Sequence, residues 1–251
     1  MPEVVVKELI GFSGSIVTLM NDTGQNLLFV RKQGNTDRNY KQLMLLADHG
    51  LNVPIVYNKH GDTLDMEYIA GLDMKTYILM QGVKVLGDFI ISTIRYFRTS
   101  TYTKNYLEVY NKHLEFVNSD PYLPFSKDEL IAKIPIELPQ SLHHGDFTLE
   151  NIIYARNDKF YLIDAVTCDY DSWIFDIAKL RQDIEGKWFI RNQDVMLDSQ
   201  LLHLKNRLKK EMPEAFNDYF YILMLLRVYV HAIPNSKEHQ FILTEINKLW
   251  K

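Results

Sequence analysis

The chain has 251 residues, of which 47% are apolar and 24% charged, so it can bury a substantial core and does not have the composition of a disordered protein. Its 28 Lys and Arg residues against 32 Asp and Glu give a net charge of -4, which argues against the basic face that general nucleic-acid binding requires. Because Cys168 is the single cysteine, an internal disulfide and a cysteine-based zinc site are excluded, as suits a reducing cytoplasm.

The sequence predicts neither a secretory signal nor a membrane span. The N-terminal residues MPEVVVK lack the basic and apolar regions of a signal peptide. The stretch nearest to a transmembrane helix, residues 219–233, is interrupted by Arg227 and His231 and is shorter than the roughly 18 to 20 apolar residues that span a bilayer. We therefore expect a cytoplasmic protein without membrane insertion, whose oligomeric state the sequence leaves open.

The N-terminal part of the chain has the pattern of a small sheet. Turn-forming residues at 11–14 and 21–24 separate segments that are rich in β-branched and apolar residues. Helical spacing of apolar residues follows, and Gly50 stands where a C-cap is expected. The predicted order is three strands (residues 4–10, 15–20 and 26–32), one helix (38–49) and two strands (54–57 and 63–68).

From residue 74 the pattern becomes helical. Apolar residues recur at three- and four-residue intervals in residues 77–79, 83–97 and 106–116, and again from residue 171 to the end. Between these helical regions, residues 151–155 and 159–163 predict a β-hairpin that turns at residues 156–158. The prediction is an α+β fold with a small antiparallel-sheet N-lobe, residues 1–70, and a larger, mainly helical C-lobe, residues 71–251.

One segment carries residues suited to phosphoryl transfer. Residues 143–153 read HHGDFTLENII, and Asp164 ends the second strand of the predicted hairpin. Phosphoryl transfer needs a carboxylate that orients the attacking hydroxyl, which Asp146 can supply from a loop. It also needs hard oxygen ligands for magnesium, and the hairpin would bring Asn151 and Asp164 together for that purpose.

This motif resembles that of the aminoglycoside phosphotransferase and choline kinase superfamily, a branch of the protein-kinase-like fold. The similarity continues in residues 171–178 (DSWIFDIA), which resemble its Asp-Pro-x-x-Asp-Leu-Ala segment, and in residues 66–71, which resemble its hinge. The resemblance implies that Asp146 is the catalytic base and that Asn151 and Asp164 bind Mg²⁺. It further implies structural support of the catalytic loop by His144 and Asp176.

The resemblance also implies a nucleotide site in the N-lobe. The phosphate-covering loop would contain Gly11, Ser13 and Gly14, and the backbone of Glu67 and Ile69 would bind adenine. A cation from the third strand should contact the α- and β-phosphates of ATP. Alternation places Arg31 and Lys32 on opposite faces of that strand; we favour Lys32, and Arg31 remains the alternative.

The predicted function is ATP- and Mg²⁺-dependent phosphorylation of a hydroxyl on a small metabolite, either a sugar or an amino alcohol such as choline. Gln42 stands where the family has a glutamate that pairs with the cation, so the alternative is a catalytically degenerate nucleotide-binding module that acts through protein contacts. A candidate acceptor pocket, suited to a quaternary ammonium or a sugar, comprises Tyr170, Asp171, Trp173 and Trp188. Aromatic residues near the start of a helix are more often part of a core. The acceptor itself, and the choice between ATP and GTP, stay open.

Overall fold

The computed structural model describes residues 3–9, 15–99 and 102–251. Within these residues the chain forms ten strands: β1 (Glu3–Leu9), β2 (Ile16–Asp22), β3 (Leu27–Gln33), β4 (Val56–His60), β5 (Thr63–Glu67), β6 (Gly71–Asp73), β7 (Tyr102–Asn105), β8 (Glu137–Gln140), β9 (Ile152–Ala155) and β10 (Phe160–Leu162). The same residues form nine α-helices: α1 (Asp37–Asp48), α2 (Met74–Gln81), α3 (Lys84–Phe97), α4 (Leu107–His113), α5 (Lys127–Ala132), α6 (Trp173–Ile184), α7 (Asp198–Glu211), α8 (Asp218–Tyr229) and α9 (Lys237–Leu249).

The chain divides into two compact units. Unit 1 comprises Met1–Tyr77 and Glu150–Cys168, and unit 2 comprises Ile78–Leu149 and Asp169–Lys251. The predicted α+β class, with a small antiparallel sheet near the N-terminus and a mainly helical remainder, is confirmed. A lobe boundary between residues 70 and 71 stays a prediction.

Unit 1 is built on a five-stranded antiparallel sheet in the order β1-β2-β3-β5-β4. The predicted strands correspond to β1, β2, β3 and β5, but β4 begins at Val56, later than predicted. The reason is that Pro54 has no N–H to donate to a ladder. Helix α1 follows β3 and is terminated at Gly50, whose φ of 75° suits the residue after a helix.

A second, three-stranded sheet in unit 1 has the order β10-β9-β6. Strands β9 and β10 pair antiparallel, with Tyr154 opposite Phe160, so the predicted hairpin is confirmed. The short strand β6 was not predicted, because three residues are too few to show alternation. Its Gly71 pairs with Ala155 so closely that a Cβ there would lie 2.2 Å from the Tyr154 carbonyl oxygen.

Unit 2 is organised around α6, all of whose residues are buried. The Ser172 side chain caps this helix by accepting a hydrogen bond from the Ile174 N–H. Helices α7 and α8 pack against α6, and the Asn217 side chain caps α8. Charged residues on α6 are therefore enclosed in the interior, where each needs a partner. None of the described helices has both the length and the apolar character that crossing a bilayer requires.

Candidate active site

The loop that contains Asp146 is held by a buried carboxylate of unit 2. Asp176, on the first turn of α6, accepts hydrogen bonds from the His144 N–H at 2.6 Å and the Gly145 N–H at 2.9 Å, one on each carboxylate oxygen. Burial raises the pKa of Asp176 to about 7, although the two N–H donors act in the opposite direction. The backbone before Asp146 is thereby fixed by a single side chain.

His144 lies inside the same loop. Its ring is fully buried, is tilted against Phe147, and accepts a 3.3 Å hydrogen bond at Nδ1 from the Asp146 N–H. A histidine that accepts from the next-but-one N–H stabilises the turn of the backbone. The structure thus places His144 where a supporting residue would be, and its proposed role requires no proton transfer.

Asp146 itself is partly exposed and stands beside two cations. The Lys179 Nζ lies 3.2 Å from its Oδ1, and the Asp146 side chain is 34% exposed. From α8, Arg227 donates to the neighbouring Gly145 carbonyl at 3.1 Å. Burial acts to raise the pKa of Asp146, but Lys179, Arg227 and His144 outweigh it, so the pKa lies below its usual value. The carboxylate is therefore ionised at neutral pH.

Sequence reasoning missed three residues that contact this loop. They are Lys179, Arg227 and Asp183, and the last accepts a 2.6 Å hydrogen bond from the Leu149 N–H. A signal did exist on α6, because Asp176, Lys179 and Asp183 follow helical spacing and lie on one face of the helix. Arg227 was also marked, because it interrupts the apolar stretch of residues 219–233.

In unit 1, Asp164 accepts hydrogen bonds at one oxygen from two side chains. Its Oδ1 lies 2.5 Å from the Lys32 Nζ and 2.9 Å from the Asn39 Nδ2 of α1. Asn39 also donates to the Ala165 carbonyl at 3.0 Å. Asp164 has a φ of 55°, a left-handed conformation that costs a non-glycine residue free energy and recurs at functional sites.

The hairpin brings the backbones of the two predicted metal ligands close together. The Ile163 N–H, one residue before Asp164, donates to the Asn151 carbonyl at 2.9 Å. The proposed ligands are the side-chain amide oxygen of Asn151 and the Asp164 carboxylate, which is 43% exposed. This donor set fits Mg²⁺, which takes one or two protein ligands besides waters and phosphates. Among the described residues no group of three or more His, Cys, Asp or Glu side chains forms a site enclosed by protein ligands.

The structure separates the two candidate cations of β3. Lys32 is buried and reaches Asp164, whereas Arg31 donates to Asp65 at 2.7 Å and to Glu3 at 2.6 Å. The hydrogen bonds that Arg31 donates to Asp65 and then to Glu3 raise the pKa of Arg31 further above its usual value. Gln42 is fully buried on α1, where Asn39, one turn earlier, is the residue that reaches Asp164.

The remaining nucleotide residues are placed as follows. Gly11, Ser13 and Gly14 lie outside the described residues. The Glu67 N–H donates to the Ile55 carbonyl at 2.8 Å, and Ile69 is buried. Since that donor of Glu67 is engaged inside unit 1, adenine recognition by this segment stays a prediction.

The candidate acceptor residues are packed as core. Tyr170 lies against Phe175, with 4.9 Å between ring centroids, and Trp188 lies against Phe241 at 5.4 Å. All three aromatic candidates are nearly buried: Tyr170 and Trp173 are 3% exposed, and Trp188 is 9% exposed. Trp173 lines a pocket of about 400 Å³, where Arg98 stacks on it at 4.6 Å.

Asp171, the fourth candidate, is engaged by three side chains of unit 2. Its carboxylate accepts from Lys104 at 2.7 Å, Tyr106 at 2.9 Å and Gln140 at 2.6 Å. These bonds anchor the start of α6 to β7 and β8. Nothing in the geometry distinguishes this set from structural packing, so an acceptor role for it stays a prediction.

Comparisons with known proteins extend the similarity over the whole chain. Residues 31–213 match the model of the APH family, described as a phosphotransferase enzyme family. At the level of sequence, no curated protein matches significantly.

Solved structures with a similar fold include three kinases. The structure of an ethanolamine kinase from Plasmodium vivax has a TM-score of 0.62 at 13% identity, covering 97% of this chain and 81% of that one. A choline/ethanolamine kinase family protein from Mesorhizobium loti has a TM-score of 0.60 at 16% identity, covering 97% and 86%. The choline kinase LicA from Streptococcus pneumoniae has a TM-score of 0.56 at 17% identity, covering 98% and 93%. At such identities the likeness shows a shared fold.

Proposed function

Since this chain belongs to the phosphotransferase enzyme family, we propose that it is an ATP- and Mg²⁺-dependent kinase that phosphorylates a hydroxyl group of a small metabolite. The observation that carries the proposal is the Asp146 carboxylate, which is ionised and partly exposed on a loop whose backbone Asp176 holds. A carboxylate with those properties can orient an acceptor hydroxyl, and holding the attacking oxygen in line is the main task of such an enzyme.

In the proposed reaction the acceptor oxygen forms a bond to the γ-phosphorus while the bond from that phosphorus to the bridging oxygen of ADP breaks. The hydroxyl proton passes to Asp146. Because the lowered pKa makes Asp146 a weak base, its main contribution is to align the hydroxyl, and proton transfer comes late. His144 and Asp176 hold the loop and do not contact the reacting atoms.

The donor half of the reaction belongs to unit 1. Asn151 and Asp164 would hold Mg²⁺, which would neutralise charge on the phosphates of ATP. Lys32 is the proposed phosphate contact, because it is buried beside Asp164 whereas Arg31 is paired with Asp65 and Glu3. Asn39 would keep Asp164 in place when Lys32 turns toward a phosphate.

An amino alcohol is the first acceptor to test. The solved structures with a similar fold include choline and ethanolamine kinases, and at less than 20% identity they suggest candidates without identifying the acceptor. Sugars with a primary hydroxyl are the second class. The purified protein, Mg²⁺ and ATP would be incubated with choline, ethanolamine and a set of hexoses, and ADP release and ³¹P NMR would identify the product.

The decisive comparison is Asp146→Asn against the wild-type protein, with Asp194→Asn at an exposed position as the matched control. We expect Asp146→Asn to lower kcat by about 10²- to 10⁴-fold and Asp194→Asn to leave it unchanged. If the wild-type protein binds Mg·ATP in calorimetry but no acceptor supports turnover, the degenerate binding module, to which Gln42 points, becomes the better account. Equal turnover by Asp146→Asn and wild type would refute the assignment of Asp146.

A further inference from the structure

A buried ammonium group adjoins Asp146 and has a single partner. Lys179 lies in the middle of α6, is 8% exposed, and places its Nζ 3.2 Å from the Asp146 Oδ1. Within the part of the chain that the structure describes, Asp146 is the one residue that pairs with it. A lysine ammonium carries three donors, so one contact of this length leaves most of its hydrogen-bonding capacity unused.

Arg181, two residues further along the same helix, shows what a satisfied buried cation looks like. It is 2% exposed and is surrounded by acceptors: Glu185, the Asn217 carbonyl at 2.9 Å, and Asp218 at 2.6 Å. Burying a charge is costly unless the group is paired and hydrogen-bonded. On helix α6 the buried charge of Arg181 has several acceptors, whereas that of Lys179 has one. A buried cation with donors to spare is expected at a site that binds an anion.

The position of Lys179 is fixed relative to the catalytic loop. One turn before it, Asp176 accepts from the N–H groups of His144 and Gly145, and one turn after it, Asp183 accepts from the N–H of Leu149. The ammonium therefore lies on the face of α6 that is hydrogen-bonded to the backbone of this loop on both sides of Asp146. A charge that is fixed before a reaction stabilises charge in the transition state at little reorganisation cost.

We infer that Lys179 contacts the phosphoryl group as it is transferred to the acceptor held by Asp146. This inference rests on the proposed kinase function. The Asp146 carboxylate and the phosphoryl oxygens carry charge of the same sign, and a cation that touches both reduces their repulsion. Lys179 takes no part in the bond changes: the new bond joins the acceptor oxygen to phosphorus, the hydroxyl proton goes to Asp146, and ADP leaves.

The first test replaces the ammonium and keeps the volume. We expect Lys179→Met to lower kcat by about 10²-fold while KM for ATP changes only a few-fold, and Lys179→Arg to recover at least about a tenth of the wild-type rate. Lys209→Met, at an exposed position of α7, is the matched control. Circular dichroism and thermal unfolding verify that each variant is folded, and Lys179→Gln replaces Lys179→Met if the latter is not. A fall in kcat of less than about tenfold overturns the inference.

The second test separates a phosphate contact from an effect through Asp146. Calorimetry would compare binding of Mg·ADP with that of Mg·AMP-PNP, which carries a third phosphoryl group, and it needs no acceptor. We expect Lys179→Met to reduce the preference for AMP-PNP over ADP by at least about threefold and Lys209→Met to preserve it. If that preference is unchanged while kcat falls, Lys179 acts by positioning Asp146 and the inference is wrong.

The two proposals fail separately. If the wild-type protein binds neither nucleotide and phosphorylates no acceptor, the kinase function falls, and this inference falls with it. If the wild-type protein is an active kinase and Lys179→Met retains both its turnover and its preference for AMP-PNP, the kinase function stands and the role of Lys179 alone is refuted.

Discussion

Each unit of the molecule contains a buried lysine paired with a partly exposed aspartate, and the two pairs are supported differently. In unit 1 the Lys32–Asp164 contact is 2.5 Å, and Asn39 adds a second donor to the same carboxylate oxygen. In unit 2 the Lys179–Asp146 contact is longer, at 3.2 Å. There the short hydrogen bonds run from the backbone of the loop before Asp146 to the Asp176 carboxylate.

This difference matches what the two carboxylates are proposed to do. A metal ligand works best when the direction of its oxygens is fixed, which side-chain donors achieve directly. A residue that orients a substrate hydroxyl needs a fixed loop and a carboxylate that can still adjust to the acceptor. Side-chain donors in unit 1 therefore suit a metal ligand, and backbone support in unit 2 suits a residue that orients a hydroxyl. Substitutions can remove each kind of support separately.

The largest expected effect comes from removing the carboxylate of unit 1. Asp164→Ala should lower kcat by at least about 10³-fold, because the proposed metal ligand is lost. Asp164→Asn, which keeps one oxygen, should retain more activity at high Mg²⁺ concentration, and initial rates over a Mg²⁺ titration would show this. Should Asp164→Ala keep near-normal rates at low Mg²⁺, the Lys32–Asp164 pair would be a purely structural ion pair.

The next effect concerns the stability of the sheet β10-β9-β6, whose hairpin lies between the two proposed metal ligands. Gly71→Ala should destabilise the protein by about 3 kcal/mol, since its Cβ would lie 2.2 Å from the Tyr154 carbonyl oxygen, which belongs to rigid backbone. The matched variant in unit 2 is Gly87→Ala, whose Cβ would lie 2.9 Å from the flexible end of Arg207. Because alanine also favours the helix, we expect a change below about 1 kcal/mol there. Urea unfolding would measure both variants, and equal losses would contradict the distinction.

The backbone support in unit 2 should make stability depend on pH. Burial raises the pKa of Asp176 from its ordinary value of 3.8 to about 7, in spite of the N–H donors of His144 and Gly145. Between these values the folded protein holds a proton that the unfolded chain has lost. The resulting stabilisation is complete below pH 3.8 and is lost as the pH rises through about 7.

Asp176→Asn isolates this contribution. We expect the stability of the wild-type protein to fall between pH 5 and pH 8 by more than that of the variant, with a difference on the order of 2 kcal/mol. The pKa of Asp146 is lowered, so its titration changes stability only at lower pH. Burial lowers the pKa of His143 in both proteins, so the contribution of His143 cancels in the comparison. Urea unfolding at the two pH values provides the measurement; parallel pH dependences would mean that Asp176 is ionised throughout.

The smallest effect is expected at Asn39. Asn39→Ala removes the hydrogen bond that the Asn39 side chain donates to Asp164, and loss of such a supporting contact typically weakens metal binding by about 10- to 100-fold. The Mg²⁺ concentration at half-maximal rate should rise accordingly, while kcat at saturating Mg²⁺ changes little. Lys41→Ala, at an exposed position on the same helix, is the control. An unchanged Mg²⁺ dependence would mean that Asn39 does not support Asp164 as a metal ligand.

The sequence predicted the architecture and the motif, because both rest on local patterns. Alternation, turn residues and the spacing of Asp146, Asn151 and Asp164 lie within short segments. Alternation also established that Arg31 and Lys32 face opposite sides of β3. It could not say which of the two reaches Asp164, since Asp164 and Asp65, the carboxylates that bind them, lie on other segments of the chain.

Contacts between distant segments were beyond that reasoning. Lys179 and Arg227 reach the loop that contains Asp146 from helices far along the chain, and Asn39 reaches Asp164 from α1. The aromatic residues Tyr170 and Trp188 show the converse limit. A sequence shows that such rings cluster, but whether they surround a ligand or one another depends on three-dimensional packing, and here they contact core neighbours.

The three side chains of α6 that contact the loop around Asp146 depend on one rotational setting of that helix. Asp176, Lys179 and Asp183 occupy one face, and a rotation by a single residue, about 100°, would carry all three away from the loop together. Such a rotation could not remove one of these contacts and leave the other two in place. The support of this loop is thus a property of a whole helix face, and any substitution that turned α6 would remove all three contacts at once.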